Sequence, residues 1–73
     1  MFAKYYYKGQ YKFTCHYIVK VKPNNKHGYF ETTQKINRYE ILTIQRYTEV
    51  DKVEIYRDFE KKPIEVIEAR KGD

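Results

Sequence analysis

The residues of this chain that could take part in covalent or metal chemistry are few, and their spacing keeps them apart. Cys15 is the single cysteine, and the two histidines are His16 and His27. Neighbouring side chains of a strand point to opposite faces, so Cys15 and His16 cannot form a nucleophile–base pair with each other. We expect Cys15 to be a small buried side chain and His16 to be exposed. One inward cysteine and two histidines at this spacing do not predict a metal site.

The carboxylates are concentrated in the second half of the chain, where we interpret them as a charged surface. Residues 39–73 contain nine acidic side chains. A hydrolytic carboxylate pair needs a cleft and two well-separated pKa values, and a chain of 73 residues has little room for them. The sequence also lacks a glycine-rich phosphate loop, a GxSxG motif and an HExxH motif. We predict that the protein is not an enzyme, has no catalytic residue and uses no cofactor.

Length and composition indicate one small domain over residues 1–73. A domain of this size buries roughly 60% of its unfolded surface, so its core is marginal. A lone cysteine cannot form an internal disulfide, which favours a reducing, cytoplasmic setting. The first residues contain no apolar run of the length of a signal peptide, and no segment is long and apolar enough to suggest a membrane partner.

Charge is distributed unevenly along the chain. Residues 1–38 contain eight Lys and Arg residues against one acidic residue, whereas residues 39–73 contain seven basic and nine acidic residues. The net charge is +5. This asymmetry favours a macromolecular partner with an acidic surface.

Residues 10–22 carry the clearest structural signal, an alternation of apolar and polar side chains that predicts one long strand. The alternation extends back to Tyr7 and Tyr5, in which case Gly9 marks a bulge or bend. The side chains expected to face the core are Tyr11, Phe13, Cys15, Tyr17, Val19 and Val21.

The rest of the sequence predicts three more strands and a helix. Residues 23–28 are rich in turn formers, and strands are expected at 29–35, 52–57 and 64–69. Asn37 and Glu40 match a capping box, so we predict a helix over 39–47 that covers the sheet. The predicted fold is α+β, a four-stranded antiparallel sheet with one helix on one face (ββαββ). A small all-β barrel is the alternative if 39–47 is a strand, which its β-branched residues also favour.

The even positions of the long strand, together with tyrosines elsewhere on the sheet, predict a basic binding face. Side chains two residues apart recur at about 6.8 Å, similar to the phosphate repeat of a single nucleic-acid strand, so this row could follow such a backbone. Tyrosine adds contact area at low entropic cost. The predicted binding residues are Lys8, Lys12, His16, Lys20, Lys22, Lys26, Tyr6, Tyr29 and Tyr56.

Two functions are consistent with such a face. The first is a small protein-binding module, an inhibitor or accessory factor of the kind that bacterial and phage accessory genes encode, with an acidic protein as its partner. The alternative is a nucleic-acid-binding protein that uses the same face, although the net charge of +5 is modest for that role. Pairing of two open sheet faces into a homodimer would cover Ile18, Tyr29 and Tyr56.

Overall fold

The computed structural model describes residues 1–37, 39 and 41–69, and the regular structure in that part of the chain is all β-strand. The seven strands are β1 (Phe2–Tyr7), β2 (Gln10–His16), β3 (Ile18–Asn24), β4 (Tyr29–Lys35), β5 (Leu42–Tyr47), β6 (Lys52–Tyr56) and β7 (Glu65–Glu68). They form two antiparallel sheets with the strand orders β2-β1-β6-β7 and β3-β4-β5. The predicted α+β fold with one helix on a four-stranded sheet is therefore wrong.

Strands β1 and β2 form a hairpin closed by two residues, Lys8 and Gly9. Tyr7 pairs with Gln10, and both turn residues have positive φ, 51° for Lys8 and 79° for Gly9. Two successive positive φ values give the tight turn whose twist matches that of the flanking strands. The bend expected at Gly9 is thus a full chain reversal, which glycine permits because it adopts positive φ without steric cost.

The segment predicted as one long strand forms two strands, because the chain bends at Tyr17. This residue has a φ of 58°, and its side chain is 74% exposed. The amide of Ile18 donates to the carbonyl of Met1 (3.1 Å) and extends the ladder between β1 and β2. The amide of Lys35 donates to the carbonyl of Tyr17 (3.0 Å) and extends the ladder between β3 and β4. The bent segment therefore belongs to both sheets.

A bulge just after the bend changes which side chains face the core. The register between β3 and β4 shifts between Ile18 and Lys20, so Val19 is an extra residue and points outward. Ile18 and Val21 on either side of the bulge are both buried. Three side chains predicted for the core face are exposed instead: Tyr11, Tyr17 and Val19. The other three are buried or half-buried: Phe13, Cys15 and Val21.

The segment predicted to be a helix contains strand β5, which pairs with β4 without a register shift. Its β-branched residues, Thr43 and Ile44, fit a strand. Asn37 is not a helix cap: its side-chain oxygen accepts a hydrogen bond from the amide of Tyr39 (2.7 Å), which is an Asx turn between β4 and β5. Glu40, the other member of the predicted capping box, lies outside the described residues. The all-β alternative depended on a strand in this segment, and β5 meets that condition.

The inner faces of the two sheets pack against each other, so the second sheet provides the cover that was expected from a helix. The core consists of Ala3, Tyr5, Cys15, Ile18, Val21, Phe30, Val50, Val53 and Ile55. At its centre the hydroxyls of Tyr5 and Thr32, both fully buried, form a hydrogen bond between the sheets. Burial raises the pKa of the Tyr5 phenol.

Candidate binding surface

The outer face of the first sheet presents a cluster of aromatic and lysine side chains. Since Ala3 and Tyr5 of β1 point into the core, the alternate residues of this strand point outward, and the register brings outward residues of β2 and β6 beside them. We call this cluster the aromatic face; its members are Phe2, Lys4, Tyr6, Tyr11, His16, Lys52, Glu54 and Tyr56.

The rings of the aromatic face contact one another across the strands. Phe2 stacks on Tyr56 with a centroid separation of 5.0 Å and an interplanar angle of 2°. On its other neighbouring strand, Phe2 lies 5.8 Å from the ring of His16. Tyr6 meets Tyr11 edge to face, with centroids 5.9 Å apart. Cross-strand aromatic pairs of this kind stabilise a sheet and hold the rings in place.

Two lysine ammonium groups lie over tyrosine rings of this face. Lys4 Nζ is 5.1 Å from the ring centroid of Tyr56, and Lys52 Nζ is 4.6 Å from that of Tyr6. Each contact is a cation–π interaction worth about 0.5–1 kcal/mol at an exposed site. The positive charges are therefore held at defined positions on the sheet.

One carboxylate, Glu54, lies among these groups and is engaged by them. It accepts a hydrogen bond from the phenol of Tyr56 (2.9 Å) and lies 3.9 Å from Lys52 Nζ. Burial, followed by the contact with Glu54, raises the pKa of Tyr56 to about 12. A hydrogen bond to Glu54 raises the pKa of Tyr6 as well. Tyr56 is 7% exposed, whereas Phe2 and Tyr6 are half-buried, so the face presents partly covered aromatic rings with two ammonium groups.

The outer face of the second sheet has a different arrangement, in which Tyr29 is the central aromatic residue. The imidazole of His27 stacks on the ring of Tyr29 with a centroid separation of 6.0 Å, and Arg46 Cζ lies 5.7 Å from the centroid of the same ring. Arg46 also forms an ion pair with Glu31 (3.7 Å). Lys20 and Lys22 extend from β3 on the same side of this sheet.

The structure divides the predicted binding residues into three groups. Tyr6, His16 and Tyr56 lie on the aromatic face. Lys8 and Lys12 lie at the hairpin end, where their ammonium groups are 5.3 Å and 6.0 Å from the ring centroid of Tyr7. The remaining four belong to the second sheet or to the turn beside it: Lys20, Lys22, Lys26 and Tyr29.

The division follows from the bend at Tyr17, which places the two halves of the predicted basic row on different sheets. The same bend separates the residues of the predicted homodimer face. Ile18 is 5% exposed and lies in the core, Tyr56 lies on the first sheet, and Tyr29 lies on the second. These three residues do not share a face.

The sequence did not predict five members of the aromatic face as binding residues: Phe2, Lys4, Tyr11, Lys52 and Glu54. Tyr11 was predicted for the core face instead. For Phe2 and Lys4 the signal was present, because they alternate with Ala3 and Tyr5 in the same way as the residues of the next strand. Lys52 had no local signal. It joins the face because β6 pairs with β1, a contact between residues about fifty positions apart in the chain.

The prediction for Cys15 is confirmed, since this side chain is 8% exposed and its Sγ lies 3.5 Å from the phenol oxygen of Tyr47. Among residues 1–37, 39 and 41–69, no three His, Cys, Asp or Glu side chains are grouped so that they could hold a metal ion. Over the same residues, no helix is long and apolar enough to cross a membrane.

Over the described residues the protein is thus an all-β fold of two antiparallel sheets, with an aromatic, lysine-bearing outer face on the larger sheet. Comparison of the chain with protein-family models, with curated proteins and with solved structures found no match.

Proposed function

We propose that this chain is a non-catalytic binding protein, an inhibitor or accessory factor, whose aromatic face docks on an acidic surface of a protein partner. The observation that carries the proposal is the pair of ammonium groups held over tyrosine rings by Lys4 and Lys52. Tyrosine and other aromatic residues are enriched at protein interfaces because they contribute large area with little side-chain entropy to lose. Ring–ring contacts hold these side chains before binding, which lowers the ordering cost.

The arrangement of the rings favours a protein partner over a nucleic acid. Single-stranded nucleic acid is bound through bases that stack on open aromatic faces. Here Phe2 and Lys4 both contact the ring of Tyr56, and Lys52 lies over the ring of Tyr6. Stacking of a base on either tyrosine would displace contacts that the protein makes within itself. Carboxylates of a partner protein can instead approach the ammonium groups without moving the rings.

Affinity capture with charge-matched variants tests this proposal. The double variant Lys4→Gln and Lys52→Gln removes two positive charges from the aromatic face, and Lys20→Gln with Lys22→Gln removes two from the second sheet. Glutamine is preferred to glutamate because a new carboxylate would repel Glu54. We expect the wild-type chain and the second-sheet variant to retain the same protein after nuclease treatment. The aromatic-face variant should lose it.

Two results would contradict the proposal. Equal capture by both double variants would remove the aromatic face as the binding site. Anisotropy with short single- and double-stranded oligonucleotides would support the nucleic-acid alternative if binding were tight at low salt and fell steeply at physiological salt. Circular dichroism of each variant checks that the fold is intact.

We also propose a cytoplasmic location for this protein. The support is the unpaired, buried thiol of Cys15 in a domain of the size that secreted proteins usually stabilise with disulfides. Fractionation of cells that express the tagged chain tests it, and recovery of the chain outside the cytoplasm would contradict it.

A further inference from the structure

Among the described residues the two sheets have four edge strands, and three of them carry features that protect an edge against pairing with another chain. In β2, Lys12 is the extra residue of a bulge. Strand β3 has a bulge at Val19 and also contains Pro23. Strand β7 has four residues, of which two are glutamates. Bulges, prolines, charges and short length are the means by which natural proteins protect sheet edges.

Strand β5, the fourth edge strand, has no bulge and no proline, and it carries one charged residue. It has six residues without proline and pairs with β4 in an unbroken register. Its charged residue, Arg46, reaches toward β4, where it forms an ion pair with Glu31 (3.7 Å). On the outer face it presents Leu42 and Ile44, which are 54% and 55% exposed. Over the described residues, the edge of β5 is thus unbroken and open, and two of its three outward side chains are apolar.

The hydrogen-bond pattern shows which backbone groups of β5 are open. The amide of Ile36 donates to the carbonyl of Ile41 (3.0 Å). Backbone groups alternate in direction along a strand. The amides and carbonyls of Thr43 and Gln45 therefore also point to β4, whereas those of Leu42 and Ile44 point away from it.

We propose that this open edge pairs with β5 of a second copy of the chain, antiparallel, about a two-fold axis at Thr43. In this register Leu42 of each copy lies opposite Ile44 of the other and exchanges backbone hydrogen bonds with it. The outer face gains two apolar Leu–Ile pairs, which are favourable cross-strand contacts. A register centred on Ile44 would instead place Leu42 opposite Arg46. The register centred on Thr43 is therefore favoured, because it pairs apolar side chains only with apolar side chains. Since β5 is complementary to itself in this register, a second copy of the chain is the partner that we propose for this edge.

The proposed dimer is a reversible one, since pairing of a single edge strand buries an area at the lower end of the range for specific interfaces. The dimer uses a different surface from the aromatic face. A test of the dimer therefore does not decide whether the aromatic face binds a protein partner.

Sedimentation equilibrium from micromolar to millimolar concentration tests the dimer. Ile44→Lys should raise the dissociation constant of the dimer by about tenfold or more. The lysine would lie opposite Leu42 of the other copy, and the lysines at position 44 of the two copies would repel each other. The matched control is Val66→Lys, an outward residue of the edge strand β7 with a nearly equal exposed fraction, 50%. A wild-type chain that remains monomeric at millimolar concentration would overturn the proposal, as would equal association of the two variants.

Cysteine cross-linking tests the register. Thr43 of the two copies would form a pair without backbone hydrogen bonds, with Cα atoms about 4.5 Å apart, a distance that a disulfide spans. Thr43→Cys should therefore give a covalent dimer under mild oxidation. Gln45→Cys, whose counterpart would be Ile41, should not. Cross-linking of Gln45→Cys in preference to Thr43→Cys would contradict the register.

Discussion

At the scale of single residues, the hydroxyl pair of Tyr5 and Thr32 is the most consequential polar contact in the core. Both side chains are fully buried, one on each sheet, and each hydroxyl is the other's partner. A buried hydroxyl without a partner loses its hydration and gains nothing in return. The pair therefore links the sheets in one relative position, whereas apolar side chains alone would tolerate a shift.

Thr32→Val tests this link, since valine keeps the shape and removes the hydroxyl. We expect the free energy of unfolding to fall by about 1–3 kcal/mol, because the phenol of Tyr5 loses its partner. The matched control is Thr33→Val on the outer side of the same strand, with an expected change within about 0.5 kcal/mol. In urea unfolding, Tyr5→Phe combined with Thr32→Val should cost less than the sum of the single changes. Strict additivity would show that the hydroxyls do not act as a pair.

At the scale of elements, the backbone conformations of the turns determine how the strands are connected. Tyr17, with its φ of 58°, carries a large exposed side chain at a position that L residues rarely occupy. The surrounding ladders hold it there, since the carbonyl of Met1 and the amide of Lys35 both bond to the peptide group that joins Tyr17 to Ile18. The hairpin turn at Lys8 and Gly9 has the same need for positive φ at both of its residues.

The hairpin turn yields a paired prediction. Lys8→Asn should raise the free energy of unfolding by about 0.5–1 kcal/mol, because Asn-Gly is the preferred sequence for two successive positive φ values. Gly9→Ala should lower it by about 1–2 kcal/mol. A Cβ at Gly9 would meet no atom within 4 Å, so this cost is conformational and not a steric clash with neighbours. Thermal denaturation of both variants measures the effects, and an equal sign for the two would contradict the turn assignment.

At the scale of the whole molecule, the two sheets are two layers that pack on a shared core. The shortest dimension of the Cα trace is 17 Å, as expected for two sheets about 10 Å apart. The bent segment shared by the sheets and the aromatic contacts of Tyr47 with Tyr5 and Phe13 join the layers. We therefore expect the sheets to unfold together.

The tyrosines of this two-layer fold predict a loss of stability in alkali. The pKa is raised by burial in Tyr5 and Tyr47, and to about 12 in Tyr56. Above the ordinary tyrosine pKa of 10.0, the unfolded chain has released these protons while the folded chain retains them. The folded state then binds more protons, so stability should be constant below about pH 10 and fall as the pH rises toward 12.

Urea unfolding at a series of pH values measures this dependence. Tyr5→Phe should make the decline shallower, because one of the retained protons is gone. Tyr17→Phe, a change at an exposed ring, should leave the slope unaltered. An equal slope in all three proteins would show that the phenol of Tyr5 does not account for the decline.

The local features that depend on near neighbours could be predicted from the order of residues alone. The strands predicted at 29–35, 52–57 and 64–69 agree with β4, β6 and β7, and Cys15 is buried as its alternation predicted. These agree because alternating side chains and turn-forming residues act within a few positions of each other.

The aromatic face, and the choice of the all-β fold over the α+β fold, depend on contacts between distant parts of the chain. The positive φ of Tyr17 and the extra residue Val19 place the predicted basic residues on two different sheets. The residue types at positions 17–19, Tyr, Ile and Val, do not indicate a bend or a bulge. The second sheet covers the inner face of the first, which is the role that the predicted helix was expected to have. The β-branched residues Thr43 and Ile44 belong to strand β5 of this second sheet. The aromatic face itself, where Lys52 of β6 meets Tyr6 of β1, exists because distant segments pair, and pairing between distant segments is a property of the folded chain.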